Sequence, residues 1–249
     1  MIFQAWCQTD VGLRRENNQD SFLIDDEVSL YLVADGMGGH RGGEVASKMA
    51  VETLREHVRK AIRDSGSRKL NPRQALAHAY EEASHRIYDK SQEPEADLHG
   101  MGTTLVAAFM RNDTLYIANV GDSRCYLFTQ NELFQVTEDH SLVNEQLRAG
   151  MLKEKDLEKF TAKNVITRSV GFEREVQVDI VEREVHPGDL FLICSDGLSG
   201  LVEDKRIAEI CRTKSPKEIV SICVDEAKKN GGDDNVTVMV LYAQPRSNG

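Results

Sequence analysis

Aspartate beside glycine, or a close variant of that pair, recurs along this 249-residue chain. The stretches that carry it are "NNQD" at 17–20, "VADG" at 33–36, "VGDSR" at 120–124, "CSDG" at 194–197 and "GGDDN" at 231–235. One Asp-Gly pair is usually a turn, because aspartate tolerates turn geometry and caps its own backbone. Several aspartates at the ends of apolar strands predict more than turns, since strand ends would hold these short side chains in place.

Such a set of carboxylates suits the binding of hard divalent cations. Mg²⁺ and Mn²⁺ favour carboxylate, carbonyl and water oxygens over imidazole or thiolate. Two of these ions about 3.5–4 Å apart form a hydrolytic centre. Glycine beside an aspartate would let a backbone carbonyl or a hydrated ion approach without a Cβ in the way. In the simpler interpretation, these acids only belong to a solvated acidic surface.

Other hydrolytic chemistries lack the residues that they need. None of the five cysteines is followed by the arginine that a cysteine-dependent phosphatase requires, and the chain has no G-x-S-x-G elbow and no P-loop. The seven histidines form no HExxH motif or close pair, which argues against a zinc hydrolase. The cysteines are odd in number and form no C-x-x-C pair, so we expect reduced, mostly buried thiols.

Composition excludes further classes of function. Thirty-one basic and 41 acidic side chains give a formal net charge of −10, which disfavours nucleic acid and anionic membranes as partners. No apolar run approaches the ~20 residues that span a bilayer, and the N-terminus lacks the pattern of a signal peptide. We therefore expect a cytoplasmic protein without membrane insertion. No linker divides the chain, so we expect one domain over 1–244 with a short tail at 245–249.

The elements that must position the aspartates are predicted from periodicity and turns. Strands are predicted at 20–26, 29–34, 103–111, 114–120, 123–129, 132–136, 176–183 and 189–195, with a last one at "NVTVMVLYA". Apolar spacing predicts a helix over 43–64, and Asn71-Pro72 caps a second one. A further pair is predicted at 204–212 and 216–229, the latter announced by a capping box from Ser215 to Glu218.

This order of elements predicts an α+β fold. Tight turns join antiparallel neighbours, and two pairs of helices interrupt the strands. We therefore expect two antiparallel sheets packed face to face, with the helix pairs covering the outer faces. The region 141–171 is helical in pattern and charged, with too little apolar content for the core. It is predicted to form a surface flap beside the strand ends.

Seven motifs in order resemble those of a known family. They are "GLRRENNQDS", "VADGMGGHRGGEVAS", "GTT", "VGDSR", "TEDHS", "ICSDGL" and "GGDDNVT", and the resemblance that they carry covers roughly residues 5–242. The set resembles the bacterial branch of the metal-dependent (type 2C, or PPM) serine/threonine protein phosphatases. The resemblance implies a four-layer α-β-β-α sandwich with two Mn²⁺ or Mg²⁺ ions in the cleft between the sheets and, as in bacterial members, a third, weaker ion.

The resemblance also implies an activity. Proteins phosphorylated on serine or threonine by a Ser/Thr kinase would be the substrates, and the enzyme would be a monomer. A hydroxide bridging the two metals would attack phosphorus directly, without a phosphoenzyme. Two alternatives keep the fold: hydrolysis of a small phosphate ester, and a non-catalytic phosphopeptide-binding module. The second is disfavoured because Asp35, Asp196 and Asp234 are all present.

Metal ligands carry over from the family position by position. Asp35 would bridge the two ions, with the Gly36 carbonyl on the second. Asp196 and Asp234 would hold the first ion. Asp20 would bind metal-bound water. The glycines after Asp35 would leave room for hydrated ions and a phosphorylated side chain.

Three further positions are less direct. Asp122 resembles the residue that, with Asp196, holds the third ion. Asp139 either contacts a metal ligand or caps the helix that begins near Ser141. Gln19 stands where relatives often have glutamate, so any negative charge from that position is missing.

Substrate binding and proton donation involve other residues. Arg15, five residues before Asp20, corresponds to the phosphate-binding arginine, in preference to the neighbouring Arg14. A guanidinium can bind two phosphoryl oxygens and neutralise charge in the transition state. At the position of the proposed general acid the chain has Met37. His40 is then a candidate acid, with a helix-capping role or protonation by metal-bound water as alternatives.

Overall fold

The computed structural model describes residues 1–38, 42–66, 70–94, 98–153 and 165–246. The strands are β1 (Ile2–Asp10), β2 (Asp20–Asp25), β3 (Leu30–Met37), β4 (Gly102–Thr103), β5 (Leu105–Arg111), β6 (Thr114–Val120), β7 (Arg124–Thr129), β8 (Glu132–Gln135), β9 (Asp179–Glu184), β10 (Leu190–Cys194) and β11 (Val236–Gln244). The helices are α1 (Gly42–Ser65), α2 (Pro72–Ser91), α3 (Leu142–Arg148), α4 (Asp196–Ser199), α5 (Asp204–Thr213) and α6 (Pro216–Lys229).

Two antiparallel sheets form the centre of the fold. One has the order β1-β11-β10-β7-β8, and the other has the order β2-β3-β5-β6-β9, with β4 paired to β3. Their facing sides share a buried cluster to which Tyr31 and Val106 contribute from one sheet, and Phe191 and Met239 from the other. The predicted face-to-face packing is therefore confirmed.

Helices cover both outer faces, as predicted. Helices α1 and α2 pack on the β2–β3–β5–β6 side through a core that includes Leu54, Leu76 and Tyr80. Helices α4, α5 and α6 pack on the other sheet through residues such as Ile207 and Val224. Three clusters thus join four layers, and the predicted α+β, α-β-β-α sandwich is confirmed.

The predicted elements agree closely with the observed ones. The Asn71 side chain accepts a hydrogen bond from Gln74 N at 3.1 Å and caps α2, and the Ser215 N–H donates to Glu218 Oε2 at 3.0 Å in the predicted capping box. Two elements were not predicted. Strand β1 pairs over its whole length with β11 at the other end of the chain, and α4 is one short turn.

The predicted flap is only partly described. Its helical part is α3, and residues 154–164 lie outside the described residues. The two ends of the segment are joined by a bridge between Ser141 and Ile166 and by a hydrogen bond from Leu142 N to Val165 O at 2.8 Å. The expectation that this region contributes nothing to the core was wrong at Val170, which is fully buried against the α1–α2 side.

The cysteines behave as predicted. All five are free thiols, and four of them are buried. Burial raises the pKa of Cys211 and of Cys194 to about 12, so these thiols remain protonated near neutral pH. Across the part of the chain that the structure describes, no helix has the length and apolarity needed to cross a bilayer.

Candidate functional site

The aspartates at the strand ends come together where β2 begins and β3 ends. Asp20 and Asp35 are direct partners in the register of these two antiparallel strands. Asp196 follows β10 as the first residue of α4, and Asp234 precedes β11 in the other sheet. Pairing of distant strands therefore brings side chains separated by about 200 positions to one edge of the sandwich, as a strand-end site requires.

Asp20 is held by hydroxyl groups of the opposite sheet. The Ser195 hydroxyl donates to Asp20 Oδ2 at 2.8 Å, and the Thr237 hydroxyl donates to the same oxygen at 2.6 Å. Burial, opposed by these hydrogen bonds and reinforced by the nearby carboxylates of Asp196 and Asp234, raises the pKa of Asp20 to about 7. The sequence had not indicated that Ser195 and Thr237 position this carboxylate.

Asp35 lies at the centre of the acidic cluster. Its burial, and then the charges of Asp20, Asp196 and other surrounding carboxylates, raise the pKa of Asp35 well above its ordinary value. Threonines of the "GTT" motif fix its backbone: the Asp35 N–H donates to Thr104 Oγ1 at 3.0 Å, and Thr103 Oγ1 donates to the Asp35 carbonyl at 2.8 Å. The fold thus holds this side chain among charges of its own sign.

Asp196 and Asp122 share the same electrostatic environment. Burial and then the charge of Asp234 raise the pKa of Asp196. Burial, followed by the charges of Asp196 and Asp139, raises the pKa of Asp122 to about 7. Asp122 therefore lies within the electrostatic influence of Asp196.

Unsatisfied oxygens test whether a cation fits here. Within the described residues, the buried side-chain N and O atoms without a hydrogen-bond partner are Asp20 Oδ1, Asp122 Oδ1, Asp196 Oδ1 and Asn119 Oδ1. Burying a carboxylate oxygen without a partner costs free energy, and native proteins pair such atoms or bind an ion to them. Three of the four belong to predicted ligands, so the donor set suits a hard divalent cation.

One carboxylate of the cluster is engaged by an arginine. Among the described residues, no three His, Cys, Asp or Glu side chains stand together in metal-binding geometry. Like charges repel at short range, and Asp234 turns towards the Arg15 guanidinium, which donates to Asp234 Oδ2 at 2.7 Å. A cation would supply the attraction that the carboxylates lack.

Arg15 rather than Arg14 faces the cleft beside these aspartates. Arg15 lines the cleft and is half exposed, whereas Arg14 does not line it and lies 3.7 Å from Asp233 in an exposed ion pair. The geometry therefore favours Arg15 as the phosphate-binding candidate. His40 falls outside the described residues, and Met37 lines the cleft.

Gly36 has a packing role that differs from the expected one. A Cβ at Gly36 would lie 2.0 Å from the carbonyl oxygen of Gly43, and a Cβ at Gly43 would lie 2.6 Å from the oxygen of Gly36. The first turn of α1 therefore packs directly against the end of β3. We expected the missing side chain of Gly36 to leave room for ions. That expectation was wrong, because the backbone of α1 fills the space that a Cβ at Gly36 would occupy.

Asn235 ties the loop that carries Arg15 to the start of β11. Its Oδ1 accepts from Gln19 N at 2.8 Å, and its Nδ2 donates to the carbonyls of Val11 and Asn17, each at 2.9 Å. The Gln19 carbonyl in turn accepts from Gly36 N at 3.1 Å. Gln19 therefore contributes its backbone to the site whatever its side chain does.

Asp139 does not cap helix α3. Its carboxylate accepts from Arg124, with Nη2 at 2.7 Å and Nε at 3.0 Å, while Ser141 occupies the N-cap without a side-chain hydrogen bond. Arg124 follows Asp122 by two residues. Asp139 therefore contacts the motif that carries the third-ion candidate, and the alternative of a helix cap was wrong.

His140 was overlooked, although it lies inside the "TEDHS" motif. Its ring Nδ1 accepts from the backbone N–H of Gly121 at 3.1 Å, and the backbone N–H of His140 donates to the Gly121 carbonyl at 3.0 Å. Nε2 lies 3.0 Å from Asp179 Oδ2, and Arg168 Nη1 lies 3.1 Å from the other oxygen of Asp179. This buried histidine therefore connects the loop before Asp122 to Arg168 in the cleft.

The cleft itself is large and lies over the acidic cluster. Its volume is about 1250 Å³. Its floor is lined by Asp35, Asp196 and Asp234, and one side is formed by residues between Ile166 and Gln177. Such a space admits a substrate much larger than inorganic phosphate.

Comparison with known proteins identifies the family. A family model described as Protein phosphatase 2C matches residues 13–220. The serine/threonine phosphatase stp of Listeria welshimeri is 40% identical over 241 residues, which are 95% of this chain and 94% of that protein.

Solved structures agree with this match. The Mycobacterium tuberculosis serine/threonine phosphatase PstP/Ppp superposes with a TM-score of 0.88 at 33% identity, covering 98% of this chain and 100% of that one. The catalytic domain of PstP in complex with two manganese ions has a TM-score of 0.85 at 32% identity, covering 98% and 99%. The chain therefore belongs to the protein phosphatase 2C family, in the bacterial branch of the metal-dependent (PPM) serine/threonine protein phosphatases.

Proposed function

We propose that this chain removes phosphate from phosphoserine and phosphothreonine in proteins, with two divalent cations, Mn²⁺ or Mg²⁺, and a third, weaker ion as cofactors. When bound, the two ions would supply a bridging hydroxide for direct attack on phosphorus, because cations lower the pKa of bound water. The observation that carries this proposal is the set of buried, unpartnered oxygens on Asp20, Asp122 and Asp196 beside Asp35.

The ligand roles follow from the resemblance and are supported by this cluster. Asp35 would bridge the two core ions, with the Gly36 carbonyl on one of them and with Asp196 and Asp234 on the other. Asp20 would hold water on the core ions. Its fixed oxygen, bound by two hydroxyls, leaves the free Oδ1 for that task.

The third ion is assigned to Asp122 together with Asp196. Each of these carboxylates has one buried oxygen without a hydrogen-bond partner. Burial and then the charge of Asp196 raise the pKa of Asp122, so an ion held by both carboxylates would offset both effects.

Arg15 would bind the phosphoryl group of the substrate. In this structure its guanidinium is bound to Asp234. A cation taken up by Asp234 would compensate that carboxylate and release Arg15 to donate to phosphoryl oxygens.

His40 remains our candidate for the proton donor to the leaving serine or threonine oxygen. The support is its place in the sequence, close after Asp35, and its position lies outside the described residues. Comparison of His40→Gln with wild type on phosphate esters with good and poor leaving groups tests this role, since loss of the proton donor would slow esters with poor leaving groups most.

We also propose that the enzyme is a cytoplasmic monomer acting on products of a Ser/Thr kinase.

The size of the cleft favours a phosphoprotein over a small phosphate ester. A volume of about 1250 Å³ and a wall that extends from Ile166 to Gln177 exceed what a small ester would fill. A small ester would still reach the floor and would serve as a probe of the chemistry alone.

Phosphate release from a phosphothreonine peptide tests the proposal. The purified protein is assayed with Mn²⁺, with Mg²⁺ and after removal of metal by a chelator. We expect turnover that requires added cation, and a loss of at least about a hundredfold in Asp196→Asn, since electrostatic stabilisation of the transition state is the largest contribution to such catalysis. A folded, cation-loaded protein without turnover, or full activity in Asp196→Asn, would refute the proposal.

A further inference from the structure

One side of the cleft combines exposed carboxylates with an exposed aromatic ring. We call this side the outer wall and define it by Phe172, Glu173, Glu175 and Val176, all of which line the cleft. Phe172 is 58% exposed, which is high for a phenylalanine. Glu173 and Glu175 are exposed as well. Val176 is partly buried and packs against the α1–α2 core. The side chains of Phe172, Glu173 and Glu175 are therefore the ones most available to a ligand in the cleft.

The backbone beneath the outer wall is fixed. The Ser84 hydroxyl of α2 donates to the Glu173 carbonyl at 2.9 Å and accepts from Gly171 N at 3.0 Å. Val170 exchanges hydrogen bonds with Thr103, at 2.8 and 3.0 Å. The outer wall therefore projects exposed side chains from an anchored backbone, and a ligand would not need to order it first.

Unpaired charge on this side of the cleft is negative. The nearby arginines are each engaged: Arg15 with Asp234 at 2.7 Å, and Arg168 with Asp179 at 3.1 Å. Arg174 also pairs outside the cleft, with Asp89 at 3.3 Å.

The glutamates have no such partners in the part of the chain that the structure describes. Among the described residues, Glu16, Glu173 and Glu175 line the cleft without an ion pair. Cations on the floor would compensate the aspartates there, but the glutamates of the outer wall would keep their charge.

We propose that the outer wall selects phosphorylated segments with basic residues next to the phosphorylated serine or threonine. The inference rests on the function proposed above and names the substrate class for the same cleft. Lysine and arginine stems would pack on Phe172 and Val176, while their charged ends approach Glu173 and Glu175. Segments with acidic flanking residues would be repelled.

Two matched phosphothreonine peptides test this preference. One has arginine and the other has glutamate at the positions on both sides of the phosphothreonine, and both are assayed at low and high salt. We expect the kcat/KM of the arginine peptide to exceed that of the glutamate peptide by about two- to fivefold for each ion pair formed, because exposed ion pairs are weak. The ratio of the two kcat/KM values should be smaller at high salt, because salt screens such pairs. Equal values for the two peptides would overturn the proposal.

Charge reversal in the outer wall sharpens the test. The double variant E173K/E175K should lower or invert the preference for the arginine peptide. The matched control is E52K/E184K, which makes the same change in net charge at exposed glutamates that do not line the cleft. A preference that is unchanged in E173K/E175K, or changed equally in the control, would contradict the proposal.

A small ester separates this inference from the proposed function. Hydrolysis of p-nitrophenyl phosphate needs only the floor of the cleft, so each peptide kcat/KM is divided by the ester value of the same protein, which removes effects of a variant on the chemistry itself. If wild type hydrolyses neither this ester nor the peptides, the proposed function fails instead. If E173K/E175K shifts the Mn²⁺ concentration needed for ester hydrolysis, the outer wall binds cations rather than peptide, and the proposal is overturned.

Discussion

The two ends of strand β2 present two aspartates with opposite environments. At its end, the Asp25 side chain is only 2% exposed, and Arg59 donates to both of its oxygens at 2.7 Å while Arg55 donates at 3.0 Å. At its start, Asp20 receives two hydroxyl hydrogen bonds and retains one buried oxygen without a partner. The two side chains are five residues apart and differ in what the fold provides for them.

The difference appears in the pKa values and indicates two roles. Hydrogen bonds from Arg59 hold the pKa of Asp25 below its ordinary value, whereas burial raises that of Asp20 to about 7. A buried acid that the protein neutralises stabilises the fold. A buried acid that the protein leaves among other acids destabilises the fold until a cation binds. Such a destabilising arrangement is typical of functional sites.

The largest expected effect concerns the centre of the acidic cluster. Asp35→Asn should lower the kcat/KM for phosphothreonine peptide by roughly a hundredfold or more, because this carboxylate is central to the proposed cation site. It should also raise the melting temperature of the metal-free protein, since it removes repulsion between carboxylates. Activity assays and thermal melts in chelator measure the two effects. Full activity in a folded Asp35→Asn protein would contradict a functional role for the acidic cluster at the start of β2, where Asp20 pairs with Asp35.

The opposite pattern is expected at Asp25. Asp25→Asn should lower the free energy of unfolding by about 1–3 kcal/mol, because two arginines lose a buried charged partner, and should leave Mn²⁺-dependent activity unchanged. Urea unfolding measures the first and the peptide assay the second. Asp233→Asn is the matched control, since its pair with Arg14 is exposed at both ends and should contribute less than about 1 kcal/mol. Loss of activity without loss of stability at Asp25 would contradict this role.

A third expected effect, on stability and not on turnover, is a pH dependence of the metal-free protein. The folded state raises the pKa of Asp122 to about 7 from an ordinary value of 3.8. The folded state therefore binds this proton more tightly, and the resulting stability is fully present below about pH 4 and is lost as pH rises through 7. His140 changes the pH dependence of stability with the opposite sign, because burial lowers its pKa and the folded state binds this proton less tightly.

Asp122→Asn isolates the contribution of the carboxylate. In chelator, the unfolding free energy of wild type relative to this variant should fall as pH rises from about 4 to about 7, while His140 is common to both proteins. Added Mn²⁺ should flatten that difference, because a cation keeps the carboxylate ionised in the folded state. A difference that does not vary with pH would show that Asp122 titrates normally.

Much of the fold could be predicted because its signals are local. Helix α2 begins where Asn71 and Pro72 predict, and α6 begins at the capping box of Ser215 and Glu218. Strand β1 was missed because most of its residues are only partly buried and it has one partner strand, β11, from the far end of the chain. Its pattern therefore carries little periodic signal, and no nearby hairpin marks it.

The sequence by itself determined which residue types are available for chemistry. Aspartates at strand ends, the glycines beside them and Arg15 are local features, because turn and strand propensities depend on near neighbours. Only the tertiary structure decided how these groups are satisfied. The pairing of Arg15 with Asp234, the hydroxyls of Ser195 and Thr237 on Asp20, and the contact of Gly36 with Gly43 join separate elements. Hydrogen bonds, burial and repulsion act through space, so they follow from packing and not from spacing along the chain.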